Sequence, residues 1–190
     1  LVDEVQTFID SYTETYVGLY AISSEAEWVA TTVILEGVDS IGHMNNLASE
    51  AYSKHVGSVE VIEKTRGYLK KKADLTALQV KQLEAILYNA ANKPQTAADV
   101  VKARIAAETE QGKALYGFKF KLDGKEVTPN DLDKILNEEK DVNKRLKAWE
   151  SSKEVGTVLK DGLENLVDLR NKSVQGLDYD DYFSYQVSEY

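Results

Sequence analysis

The chain has 190 residues, 43% of them hydrophobic and 29% charged, with a net charge of −9. That balance belongs to a globular chain with a real core rather than a disordered one, and the acidity argues against a general nucleic-acid binder, which needs a basic face to displace counterions. With no cysteine, disulfides, thiolate catalysis and cysteine-based zinc sites are excluded, and no apolar run approaches the roughly 18 residues of a membrane span.

The first residue is Leu1, and no signal-peptide core follows it, so the chain is expected to be processed or cut from a longer one. Val5, Phe8, Ile9, Tyr12, Tyr16, Leu19 and Tyr20 recur at i, i+3, i+4 and i+7, which predicts an amphipathic helix with acids opposite. Ser24-Glu-Ala-Glu27 either opens a new helix with a capping box or continues the first. Trp28 falls on the same face, and Gly37 marks a turn. A second long helix is expected from about Val38 to Lys72, with Met44, Leu47, Ala48, Ala51, Tyr52, Val56, Val59 and Ile62 as its apolar face. Glycines at 42, 57 and 67 weaken it by roughly 1 kcal/mol each and allow close packing or a break.

Leu75 to Ala91 predicts a third helix (Leu78, Leu83, Ile86, Leu87), stopped by Asn92-Lys-Pro94; Thr96 to about Leu115 predicts a fourth, with Val100, Val101, Ile105 and Ala106. The one strand signal lies between residues 116 and 128. Alternating residues flank Asp123-Gly124, the signature of a type I′ hairpin. Thr128-Pro129 supplies an N-cap and an N1 proline for a helix through Leu136. Two more helices are expected over Asp141–Val155 and Gly156–Gln175, with Gly176 capping the last. Leu146, Trp149, Lys153 and Gly156 share a face, followed by Leu159, Leu163, Leu166 and Leu169, so Trp149 is expected to be a packing anchor. The fold class is all-α, a long-helix bundle with one small β-hairpin and no internal domain boundary.

No stretch taken alone carries catalytic chemistry. His-Glu-x-x-His, two imidazoles one helical turn apart with a water-activating Glu, is absent. His43 and His55 are twelve residues apart; Asp39 and His43 stand at i, i+4, but two ligands are too few for a metal. No Gly-x-Ser-x-Gly elbow or phosphate loop is present. The carboxylate pairs Glu138-Glu139, Asp180-Asp181 and Glu108/Glu110 are expected to face solvent, as is the Lys70-Lys71-Lys72 run at a helix end. Tyr179, Tyr182, Tyr185 and Tyr190 form an aromatic stripe suited to core or interdomain packing, or to a substrate-channel wall. Asn171-Lys-Ser173 is a glycosylation sequon.

An ordered set of segments resembles one family. Val5-Gln-Thr-Phe-Ile-Asp10, Glu25-Ala-Glu-Trp28-Val-Ala-Thr-Thr32 and Met44-Asn-Asn-Leu-Ala48 are similar to the first two helices of the angiotensin-converting enzyme family. Leu132-Asp-Lys-Ile-Leu136, the run Asp141 to Glu150, Glu154-Val-Gly156, Leu169-Arg-Asn171 and the Tyr179–Tyr182 region match it in order and approximate spacing. The resemblance implies a mostly helical zinc peptidase that removes C-terminal dipeptides or single residues from peptides, with two halves enclosing a deep channel and metal-activated water as the attacking group. It implies that residues 1–190 form the N-terminal lid and one channel wall, that zinc ligands and general base lie outside this chain, and that the chain alone is inactive. No catalytic, cofactor-binding or metal-binding residue is therefore assigned within it. An Arg that helps hold chloride in the family aligns with Gln186-Val187, so the chloride is a doubtful part of the resemblance. As a separate departure, the family's paired Trp after Ala148 is reduced to Trp149 with Ser152 in place of the second aromatic. The implied partners are peptides. The family is often exported, which favours a periplasmic or extracellular location. The alternatives are a non-catalytic helical binding or scaffold module of the same ancestry, and a self-standing helical domain with a closed core.

Overall fold

A 31-residue helix, α1 (Val2–Thr32), runs uninterrupted through Ser24–Glu27, so that segment continues the first helix. In the computed structural model, which describes residues 1–35 and 37–188, only the first half of its stripe reaches the interior: Val5, Ile9 and Tyr12 are buried. They meet Val61, Leu83 and Ile86 of two later helices, with Phe8 and Tyr16 beside them. Each such aliphatic side chain contributes about 1.5–3 kcal/mol on burial. The second half rides over the next helix through Tyr16 and Tyr20, whose rings lie 5.6 and 6.0 Å from that of Tyr52. Trp28 is 69% exposed. A helical face as long as this outruns the partner beneath it, so one stripe serves two environments.

The single helix expected from Val38 to Lys72 is two, α2 (Ser40–Val56) and α3 (Val59–Leu69). The break has a steric cause. At Gly57 a Cβ would overlap the Lys93 carbonyl, and the Gly57 carbonyl accepts the Gln95 N–H at 2.8 Å. Ser58 then caps α3, its hydroxyl accepting from Val61 N–H at 3.1 Å. The apolar face assigned to α2 is also corrected. Gly42, Asn45, Tyr52, Ser53 and Val56 are buried, whereas Met44 is 62% and Leu47 48% exposed.

Helix α4 (Ala77–Asn92) starts with a reciprocal capping box between Thr76 and Gln79. The Gln79 amide also donates to Val2 O at 2.9 Å, tying α4 to the start of α1. Leu78 faces out. Pro94 ends the helix as expected, and a 3₁₀ turn (Gln95–Ala97) leads into α5 (Ala98–Tyr116).

Strands β1 (Phe120–Leu122) and β2 (Lys125–Val127) pair antiparallel, Phe120 opposite Val127 and Leu122 opposite Lys125. Asp123 and Gly124 both have positive φ, +49° and +79°, as a type I′ turn requires. Helices α6 (Pro129–Glu138) and α7 (Val142–Lys153) pack on this hairpin around Phe120, Leu132 and Ala148. Ser151 donates to Lys121 O at 2.7 Å, so the small residues of α7 face inward. Trp149, expected as the anchor, is 50% exposed.

Helix α8 (Gly156–Gln175) runs back along α5 and leads to the short α9 (Tyr182–Val187). Gly176 takes ordinary helical angles (φ −63°), and the left-handed residue is Asp178 at φ +71°. Val174, Leu177 and Tyr185 close a second core against Ile62, Ala90 and Ala91. Among the described residues, the architecture is all-α with one two-stranded hairpin.

Candidate functional site

Helix α5 carries the unusual chemistry. Its inward face holds Arg104 and Thr109 beside Val101 and Ile105, so the middle of the molecule contains charge. Arg104, 5% exposed, donates through Nε to Glu108 Oε1 at 3.0 Å, and through Nη1 to the Asn92 carbonyl and side chain at 2.9 and 2.7 Å. A buried guanidinium with several of its donors met avoids most of the cost of leaving water. Arg170 of α8 reaches the same Glu108 oxygen at 3.4 Å. The two guanidinium carbons lie 5.3 and 5.6 Å from the Tyr182 ring centre, within cation–π range.

Glu108 and Arg170 of this cluster line a cleft of about 400 Å³ between α1, α2, α5 and α8. Leu159, Leu163 and Leu166 form one apolar side, and Glu27, Asn45, Lys93 and Glu108 bring polar groups. Helices α5 and α8 approach closely because Gly162 has no side chain; a Cβ there would overlap the Gln111 amide. Across the cleft, Asn45 donates to Thr109 Oγ1 at 3.1 Å, and Thr109 donates to Asn46 Oδ1 at 2.7 Å. Lys113 closes one end, bridging Asp39 and Glu110 at 2.9 Å each. Those two carboxylates hold its ammonium pKa above the ordinary value, Glu110 contributing most.

Lys93, at the α4–α5 corner, differs from Lys113. Its ammonium lies 4.5 Å from the Tyr52 ring centre. Among the described residues no carboxylate stands within salt-bridge distance of it, the recorded ion pairs all involving other cations. Burial lowers its pKa from the ordinary value, against the smaller opposing pull of Glu108.

Several sequence expectations resolve here. Asp39 pairs with Lys113 and not with His43, which is exposed. His55 stacks on Tyr12 at 4.9 Å, with its Nε2 3.0 Å from the Tyr12 carbonyl. Of the carboxylate pairs, Glu139 takes N–H groups of Lys140 and Asp141, and Asp181 caps α9. Glu108, expected to face solvent, is instead half-buried between two arginines. In the tyrosine stripe, Tyr185 is buried and stacks on Tyr88 at 4.3 Å, while Tyr182 serves the arginines. Tyr190 lies outside the described residues. The sequon is folded into α8: Ser173 is fully buried, and Asn171 Oδ1 accepts from Tyr182 N–H at 3.0 Å. Arg104 was not singled out from sequence; Lys93 entered only as part of the stop after a helix and Arg170 only within a family-like segment, neither as a charge of a cleft. The signal present was an Arg–Glu pair at i, i+4 inside an apolar stripe.

The arrangement binds charge and encloses a cleft; it offers no nucleophile–base pair. The model of a peptidase family described as angiotensin-converting enzyme matches residues 2–190. The chain belongs to the angiotensin-converting enzyme family. No solved structure matches it. Zinc is the metal this family implies, and these residues do not fit one. Among the described residues no three His, Cys, Asp or Glu side chains converge, which falls short of the three protein ligands of a catalytic zinc. No helix among them is long and apolar enough to cross a membrane.

Proposed function

We propose that these 190 residues form the N-terminal lid and one channel wall of a zinc peptidase that releases C-terminal dipeptides or single residues from peptides. The observation that carries the reading is the family match over residues 2–190, joined to a charged cleft without a catalytic pair. On this reading the zinc ligands and the general base lie outside these residues, and the chain alone is inactive. Its own contribution is physical. Helices α1 and α2 cover the cleft, and the Arg104–Glu108–Arg170 cluster fixes charge on its wall without needing to reorganise. The site lies outside the cytoplasm if this protein shares the family's habit of export.

The exposed apolar side chains support the same reading. Trp28, Val33, Ile34, Leu35 and Val38 gather where α1 passes into α2, and Leu163 and Val167 stand out on α8. Exposed apolar side chains gathered in this way mark a surface suited to a partner. The test is to join the chain to the sequence that follows it in its gene. Zinc-dependent release of C-terminal dipeptides or residues by the joined protein, and none by residues 1–190 alone, is expected. Cleavage by the isolated chain with added zinc overturns the division of labour. A following sequence without His-Glu-x-x-His makes the protein a non-catalytic binding module instead.

A further inference from the structure

We propose that Lys93 makes the cleft selective for peptides that place an acidic side chain in it. The inference rests on reading the cleft as part of a peptide channel. Lys93, Lys113 and Arg170 line the cleft with Glu27 and Glu108, and Arg104 lies behind Glu108. Glu108 is already engaged by two guanidinium groups at 3.0 and 3.4 Å. Lys93 is the cation on the lining that has no ion pair among the described residues; Glu108 and Glu27 act on it only from beyond salt-bridge distance. Lys113, another cation on the lining, is already engaged by two carboxylates, Asp39 and Glu110.

Lys93 is also held in place before any ligand arrives. Its carbonyl packs where Gly57 leaves room. Gln95 clamps the same corner, its N–H donating to Gly57 O at 2.8 Å and its amide to Ser53 O at 3.3 Å. The side chain lies against Tyr52. An ammonium that burial has stripped of part of its water, and that no carboxylate contacts directly among the described residues, is stabilised by an incoming anion more than a solvated lysine is. A rigid backbone removes much of the ordering cost. Glutamate or aspartate carboxylate is the anion a peptide brings.

The probes are two blocked tripeptides, acetyl-Ala-Glu-Ala-amide and acetyl-Ala-Gln-Ala-amide, which differ in one charge and carry no terminal carboxylate. Titrated into the chain and followed by amide NMR shifts around Lys93 and Glu108, the Glu peptide is expected to bind about tenfold tighter, the factor of one charge-assisted contact. Lys93→Met, which keeps an apolar stem against Tyr52, should abolish the preference. Lys93→Arg should retain it, as should Lys81→Met on the outer face of α4. Circular dichroism establishes that each variant is folded. Equal binding of the two peptides at the cleft, or a preference that survives Lys93→Met, overturns the charge selectivity and leaves the channel-wall reading standing. Shifts that map elsewhere, or no binding of either peptide, overturn the selectivity assigned to Lys93, whereas the channel-wall reading stands or falls with the joined protein.

Discussion

Two glycines separate contact from conformation at the level of single residues. Adding a methyl at Gly57 drives it into the Lys93 carbonyl, which neighbouring hydrogen bonds hold in place. Gly57→Ala is expected to lower stability by about 2–3 kcal/mol, at the upper end of overpacking costs. Gly67 lies in α3 with nothing within 4 Å of its missing Cβ, and Gly67→Ala should raise stability by roughly 0.5–1 kcal/mol through the unfolded chain. Urea titration of both variants reads the opposite signs, and a shared sign refutes the steric account of the α2–α3 break. Asp131 gives a pH signature. It accepts from the Thr128 hydroxyl at 2.7 Å and the Thr128 N–H at 2.9 Å, bonds that lower its pKa from the ordinary value of 3.8. A carboxylate lowered on folding contributes stability that is complete above the unfolded pKa and fades as pH falls through the folded one. The stability gap between wild type and Asp131→Ala should therefore be full at neutral pH and shrink below about pH 4. A gap that stays constant to strongly acid pH contradicts it.

Among the elements, the hairpin with α6 and α7 is a satellite cluster that packs chiefly on itself. Leu132 is 2% exposed at its centre, flanked by Phe120 and Ala148. Leu132→Ala should cost about 2–5 kcal/mol locally. Hydrogen exchange should quicken across residues 118–155 while the amides around Val5–Tyr12 keep their protection. Uniform loss of protection would mean that the satellite and the main body unfold together. This region was the most legible part of the sequence, because Asp123-Gly124 and Thr128-Pro129 are local signals that need no tertiary partner. Helix existence was legible for the same reason. Which side of a helix faces inward was not. On α7 the small residues Ala148 and Ser151 are buried and Trp149 is not, because the hairpin lies too close for an indole. On α2 the buried positions include Gly42, Asn45 and Ser53, a polar seam that hydropathy reads as surface. The cleft was hidden by the same effect: Arg104 and Glu108 look solvated in sequence until Asn92, Arg170 and Tyr182, brought from other helices, close over them.

For the whole molecule, both tryptophans are informative because the chain has only two. Trp28 is 69% and Trp149 50% exposed, on α1 and α7, and each has large apolar residues nearby in sequence that are also exposed. A core built by a self-standing domain would bury side chains of this size, since each brings one of the largest apolar surfaces available to a fold. Here the interior is filled by Leu83, Val5, Val56 and Val174 instead. Tryptophan fluorescence of residues 1–190 should thus be open to acrylamide in the native state, and unfolding in urea should change the quenching constant little. If these apolar faces are covered by the rest of a peptidase, the longer protein should show quenching at Trp28 and Trp149 that is sharply reduced, measured with each as the sole remaining tryptophan. Strong protection in the isolated chain would mean that these faces are closed without a partner, and the channel-wall assignment would lose its support from exposed surface. Protection that appears only in the longer protein, at both positions, is the pattern that a lid and wall completed by the other half requires.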